Sequence, residues 1–459
     1  FGSSNHRGLP RSPTMADWCH DVPSDVLAPR ALPFYDAATA FRLGATDRQL
    51  RATLRQLTNV SIVLRRKRLQ PAAAVSLAQS IGALDGLQNL EADIGFSSLG
   101  DDGAHALAQA VGSLSSLKRL ELGLSGCSLG AVGTRKLAQE ICNLRNLMRL
   151  KIDASFNNIG DQGLRGLSQA VGSLPELVSL ELDLNRNRVG DMGMGWLAHA
   201  VGALPGLTDV QLMLFDNRVG EAGAHELARA VRGLRAPVRL VLGLNRNSVS
   251  EAAVQDLAHA AGALPSLRDL ELHLSISNIG WAGAHDLALS VSTLQGLVSL
   301  VIDLNVNHIG AAGIRLLAQA LSEQRGLVSL RLLASGNRIR EVGARELAQA
   351  VSSLKGLQGL ELDVSGNGIG DVGAWELART LGALPVLSRL TADLRGNQVG
   401  ELGARELARA VGAMPSLERL ELRFDGNNRG AGEAGPSHHE LAHAVQRLQT
   451  GGCICECTW

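Results

Sequence analysis

The sequence predicts an α/β solenoid: an open horseshoe with parallel strands lining its concave face and helices covering its convex face. Three observations predict it. A thirty-residue unit recurs, so that Leu360, Leu390 and Leu420 occupy the same place in three successive copies. One half of the unit alternates apolar and polar residues with a period of two, the signature of a half-buried strand. The other half spaces its apolar residues at three and four, which gives a helix one buried stripe. Such a rung cannot bury its core alone, so its copies must stack.

The elements follow in order. Residues 1–35 open without an apolar stretch that reads as a secretory signal and are expected to be disordered. The run to Asp17 is rich in Ser and Arg and free of acids, a faint transit-peptide trait, and Met15 is an alternative start. Residues 36–56 are expected to form a helical cap over the first rung, as solenoid ends require. The repeat occupies 57–450, keeping its frame from Val60 to Leu420 for about thirteen rungs. Within a rung, Leu-x-x-Leu-x-Leu-x-Leu is a strand and its exit. Next comes an Asn at one frame position: Asn157, Asn187, Asn217, Asn247, Asn307, Asn337, Asn367, Asn397 and Asn427. There the chain turns off the strand and leaves backbone groups unpaired, which a stacked ladder of buried amides can satisfy. Cys127 and Ser277 stand in two of the same slots. The helix carries Ala404, Leu407, Ala408, Val411 and Met414 on one stripe. It often opens on an acid, such as Asp161, Asp191 or Asp371, which suits the positive end of the helix dipole. The last rung is disturbed by an insertion around Glu433–Ser437, and residues 451–459 are expected to be a Cys-rich flexible tail.

Composition narrows the function. The 459 residues hold 44 basic and 44 acidic side chains, so nothing pulls the whole chain toward nucleic acid or an anionic membrane, and neither is expected as a partner. No apolar run is long enough to span a bilayer. The six cysteines do not follow the repeat, so a disulfide framework is not implied. A reducing, cytoplasmic setting is expected, with organellar import as the lesser alternative.

The pattern Leu-x-x-Leu-x-Leu, then Asn-x-Ile/Val-Gly-x-x-Gly-Ala-x-x-Leu-Ala-x-Ala, resembles the ribonuclease-inhibitor type of leucine-rich repeat. That type also occurs in Ran GTPase-activating protein and in the sensor ends of nucleotide-binding immune receptors. The resemblance covers about Leu57 to Leu448 and implies the horseshoe fold. It implies little about the partner, because these relatives share a shape and not a ligand. The chain departs from the family between the inner strand leucine and the Asn, where four residues stand instead of two, as from Leu182 to Asn187. A longer loop should therefore project at the rim. The immune receptors' nucleotide-binding loop, Gly-x-x-x-x-Gly-Lys-Ser/Thr, does not occur here.

The candidate binding residues come from strand alternation. With the leucines turned inward, the concave face shows Glu91, Glu121, Glu181, Glu271 and Glu361 in one column. Asp93, Asp153, Asp183, Asp303, Asp363 and Asp393 fill the next, and Arg119, Arg149, Arg239, Arg389 and Arg419 fill the first. Like charges stacked about 4.8 Å apart repel, so an acidic band reads as a docking surface for a basic protein partner. Alternatively, one repeat was copied many times and its acids are merely solvated. A weaker candidate is the loop rim, where Phe96 and Phe156 share a frame position with Ile276 and Val306.

No catalytic residues, metal site or cofactor are expected. His439-Glu440-Leu441-Ala442-His443 matches a metalloprotease pattern, but Glu-Leu-Ala recurs at Glu226, Glu346 and Glu406 and His flanks it elsewhere, so the repeat accounts for the match. Cys453, Cys455 and Cys457 lack the two-residue spacing of structural zinc ligands. Gly430-x-Gly432-x-x-Gly435 lies in the final insertion without the doubly wound sheet that a dinucleotide loop needs. The leading expectation is a non-enzymatic scaffold or sensor. A GTPase activator, implied by the resemblance alone, and a subunit of a larger assembly are the alternatives; the oligomeric state stays open.

Overall fold

A computed structural model describes residues 58–66, 71–84, 86–414, 416–427, 436–450 and 452–458. The segment expected to be disordered, the expected N-terminal cap and the Gly430–Gly435 loop lie outside these residues. The described chain alternates strand and helix from β1 (Asn59–Val63) and α1 (Pro71–Gly82) to α13 (Pro436–Thr450) and β14 (Ile454–Thr458). All fourteen strands form one parallel sheet in sequence order, and it does not close on itself. This is the α/β horseshoe that the repeat predicted.

The register explains how the sequence holds the stack together. Each strand residue pairs with the residue thirty positions on, as in Leu150 with Leu180 and Leu180 with Val210. Inward positions therefore stack leucine on leucine, and β5 (Ser179–Asp183) alternates half-buried and buried residues along its length. In that rung Leu180, Leu182, Leu184, Val189 and Met194 are wholly buried. Burying each such side chain stabilises by roughly 1.5–3 kcal/mol before chain entropy is counted. The alanines of the helix stripe, such as Ala198 and Ala228, let each helix pack closely on the next.

At the last rung the offset grows to thirty-five residues, pairing Arg419 with Ile454 and Leu422 with Cys457. The Cys-rich segment, expected to be a flexible tail, is instead the fourteenth strand. Cys455 and Cys457 take the slots that leucines fill elsewhere, because a thiol packs as a small apolar group.

The amide ladder forms as expected. Asn367 Nδ2 donates to the carbonyls of Ala334, Val364 and Ser365, and its Oδ1 accepts from the backbone of Asn337 and Ile339. One side chain thus ties two rungs. Cys127 keeps part of this pattern by donating Sγ–H to the Ile94 carbonyl at 3.3 Å.

The acids that open the helices do more than face a dipole. Asp161 and Asp191 accept the backbone N–H of Gly190 and Gly220 in the next rung, each at 2.6 Å. Asp101 and Asp371 do the same for Gly130 and Gly400. In these four cases the captured glycine is extended, with φ from −99° to −112°. Gly160, Gly310 and Gly370, which follow rungs without that Asp, turn to φ between +58° and +68°. A carboxylate twenty-nine residues away thus selects the backbone state of a helix start. Ser250 is extended for another reason: its own hydroxyl accepts the N–H of Ala253.

Candidate functional site

The strands set three outward columns on the concave face, and each predicted acid stands where alternation placed it. Their environments differ. In the Asp column, Asp93, Asp153, Asp183, Asp303, Asp363 and Asp393 each accept the N–H of the residue two positions on, at 3.0–3.1 Å. This side-chain turn closes the strand exit and supplies an acceptor that the loop backbone lacks. Asp303 and Asp393 are buried, and Arg395 also clamps the Asp393 carboxylate. These carboxylates have a local structural role beside any external one.

The Glu column makes no such turn. Glu121 accepts from Arg119 at 2.8 Å and lies 3.6 Å from Arg149. Glu181 pairs with Lys151 and Arg149, Glu361 pairs with Arg331 at 3.0 Å, and Glu91 accepts the Ser61 hydroxyl. Cations thus interleave with the acids between rungs and relieve most of the repulsion the column would otherwise carry. In the neighbouring Asp column, Asp183 is shifted. Burial pushes its carboxyl up to about 6, against the N–H of Asn185; Asp153 and Glu181 push the same way and Lys151 opposes them.

A polar knot that single-column reading missed sits on β8 (Asp269–His273) and β9 (Ser299–Asp303). His273 Nε2 lies 2.6 Å from Glu271, and its other ring nitrogen lies 3.9 Å from Asp303. Asn245 donates to both Ser275 and Asp303, spanning two rungs. Burial opposes the imidazolium, but bonds and charges from Asp303 and Glu271 outweigh it and lift His273 to about 9. The His273 bond in turn lowers the Glu271 carboxyl against its burial. Beside the knot, Arg239, Val241, Glu271 and Val301 line a small cleft of about 120 Å3.

In the rim loops Phe96 and Phe156 are exposed. Their rings lie 6.3 Å apart across Gly126, where a Cβ would meet the Phe96 ring at 2.7 Å. Arg65 lies over Phe96, Arg186 over Phe156 and Phe215, and Arg246 over Phe215, at 5.0–5.6 Å from the ring centres. Sequence reading found the two phenylalanines but not the ladder, because Phe215 and Arg65 stand one frame position earlier.

The His439–His443 stretch lies in α13, where Leu441 is buried and Glu440 and His443 are exposed. Among the described residues, no three His, Cys, Asp or Glu side chains gather to hold a metal, and no helix is long and apolar enough to cross a membrane. On the convex face Glu341 and Arg345 pair at 3.2 Å, while Arg165 lies over Trp196 and Arg405 reaches Glu406.

Comparison with known proteins agrees with the repeat. A family model described as Leucine Rich repeat matches residues 360–378, which hold β11 (Gly359–Asp363) from its second residue and the first part of the helix that follows. The register carries a unit of the same length through the sheet, so the matched stretch is one rung of the α/β horseshoe. Similar solved structures include yeast Rad7, from a complex with Elc1, at 16% identity over 84% of this chain and 81% of that one, TM-score 0.43. TLR13, from a complex with ssRNA13, is similar at 15% identity over 80% of this chain, TM-score 0.41. This chain spans 55% of the TLR13 chain. A search of curated proteins finds no match.

Proposed function

We propose that this protein is a non-enzymatic interaction scaffold or sensor whose concave face binds a protein partner with a basic surface. The observation that carries the reading is the stacking of outward carboxylates on an uninterrupted face of strands, where Asp183 pairs in register with Asp153 and stands beside Glu181, and burial with these neighbours raises its carboxyl to about 6. A carboxylate held above its ordinary range by burial and neighbouring acids gains most when a cation from outside joins it. The ion-paired Glu column holds the surrounding side chains in place, and such order lowers the entropy lost on binding. Five described cysteines are free, which supports a reducing, cytoplasmic setting. Strand–helix rungs with a buried Asn ladder support the ribonuclease-inhibitor subtype.

The test should spare the acids that close the strand-exit turns. Glu91, Glu121, Glu181, Glu271 and Glu361 are changed together to Gln, and Asp183 separately to Asn, which keeps a turn acceptor. Partners captured by the full chain are then identified and their affinity measured with each variant. A basic protein that weakens at least tenfold with both variants supports the reading. Unchanged affinity in both would remove the concave acids from the binding site.

A further inference from the structure

We propose that the loop rim from Phe156 to Arg246 is a second binding surface, and that its ligand is an extended acidic peptide segment of a partner protein. The exposed rim positions of these rungs hold Arg186, Arg188, Asp216, Arg218 and Arg246, four cations to one anion. On the concave face, by contrast, acids and bases interleave. Arg186 pairs with Asp216 at 3.0 Å; among the described residues Arg188, Arg218 and Arg246 make no ion pair.

The aromatic rings turn this charge into a track. Arg186 lies over Phe156 and Phe215, and Arg246 over Phe215. A guanidinium stacked on a ring keeps its in-plane N–H donors, which suit a carboxylate bidentately, and stacking restricts its rotamers before the ligand arrives. The backbone fixes the stems as well: Phe156, Arg186, Arg188, Asp216 and Arg246 all hold φ between 53° and 60°. Non-glycine side chains seldom occupy that region, and five of them do so along this stretch.

Spacing and stacking select the ligand. From Phe156 to Arg246 the rim crosses three rung steps, roughly 14 Å at about 4.8 Å per step. An extended peptide of four or five residues covers that length at about 3.3 Å per residue. A single-stranded nucleic acid would need open ring faces for its bases. Here Phe215 already carries two guanidiniums, and Phe156 carries one guanidinium beside the Phe96 ring. The surface is separate from the concave Glu column, so the rim and the concave reading can fail independently.

The test uses the full chain and three fluorescent probes: a nine-residue peptide alternating Glu and Ser, its Lys counterpart, and a single-stranded oligouridylate. Anisotropy titrations are run with wild type, the R186Q/R246Q double variant, R218Q, and the convex-face variant R345Q. The expected result is binding of the acidic peptide alone, weakened at least tenfold by R186Q/R246Q and about threefold by R218Q, and unchanged by R345Q. R218Q touches neither ring nor ion pair, so its loss reports charge at the rim even if the double variant disturbs the loops. Three results would overturn the proposal. They are no acidic-peptide binding, equal weakening by R345Q, and tighter binding of the oligouridylate that is lost with R186Q/R246Q, which would assign the rim to nucleic acid.

Discussion

The early rungs and the late rungs solve one backbone problem in opposite ways. The loop after each strand needs a residue at positive φ just before the Asn position. Late in the chain that residue is glycine: Gly336, Gly366, Gly396 and Gly426, all with φ between 62° and 72°. Earlier it is Phe96, Phe156, Arg186, Asp216 and Arg246, and at the middle Ile276 and Val306, with φ between 53° and 57°, and one glycine, Gly126 at 60°, stands among them. Left-handed backbone costs a side-chain-bearing residue roughly 1–2 kcal/mol, and glycine almost nothing. The early half therefore carries side chains where glycine would fit at less strain. At that position the late rim is bare where the early rim is a ladder of arginines and rings; the late rim's exposed Arg338 and Arg340 stand further along the loop. The amide ladder differs in the opposite sense, since the late rungs run Asn to Asn unbroken while Cys127 and Ser277 interrupt the earlier part.

The largest effect should come from breaking the unbroken ladder. Asn367→Ala strands two backbone N–H groups and three carbonyls in buried surroundings, and should cost about 3–5 kcal/mol in a denaturant titration. Cys127→Ala removes one weak donor and should cost only about 1 kcal/mol. Equal costs would mean the two halves do not rely on the ladder differently.

The boundary between the halves should show in the pH dependence of stability. His273 is raised to about 9 from 6.5, so the folded state holds a proton that the unfolded chain releases. Its stabilisation is complete below pH 6.5 and disappears as pH rises through about 9; the size is on the order of 3 kcal/mol. His273→Gln should flatten the unfolding free energy over that window. Asp183 acts in a lower window: raised from 3.8 to about 6, it favours the folded state most at low pH and less as pH passes 6. Asp183→Asn should remove that second slope and leave the first.

Smaller effects test the rim directly. Gly366→Val places a β-branched residue at φ +63° and should cost about 1–2 kcal/mol by thermal or chemical unfolding. The reverse change at the middle, Val306→Gly, relieves left-handed strain but frees the unfolded chain, so the net gain should stay below about 1 kcal/mol. A loss of stability in Val306→Gly would show that its exposed side chain packs usefully, which would bring the two halves closer together.

Much of the architecture was legible because the repeat states it many times. The period of two in Leu180-Glu-Leu-Asp-Leu, the helical stripe at Ala404, Leu407 and Ala408, and the recurrent Asn each follow from local geometry repeated every thirty residues. The same averaging hid the details. Asp153 and Glu181 look alike as outward acids, yet one closes a turn and the other pairs with Lys151. Strand 454–458 was illegible because its cysteines replace the expected leucines and the insertion shifts its frame.

The sequence by itself determined the solenoid, its register and its inner face, because hydrophobic periodicity and unpaired backbone groups are properties of each rung alone. Only the tertiary structure decided which acids close turns and which pair with cations of the next rung, and which rings meet which arginines. Those contacts join residues about thirty or sixty positions apart. Asp191 reaches Gly220, Asn245 reaches Asp303, and Phe96 reaches Phe156 over Gly126. Whether such partners meet depends on what the rung between them lacks, and that is settled when the rungs stack.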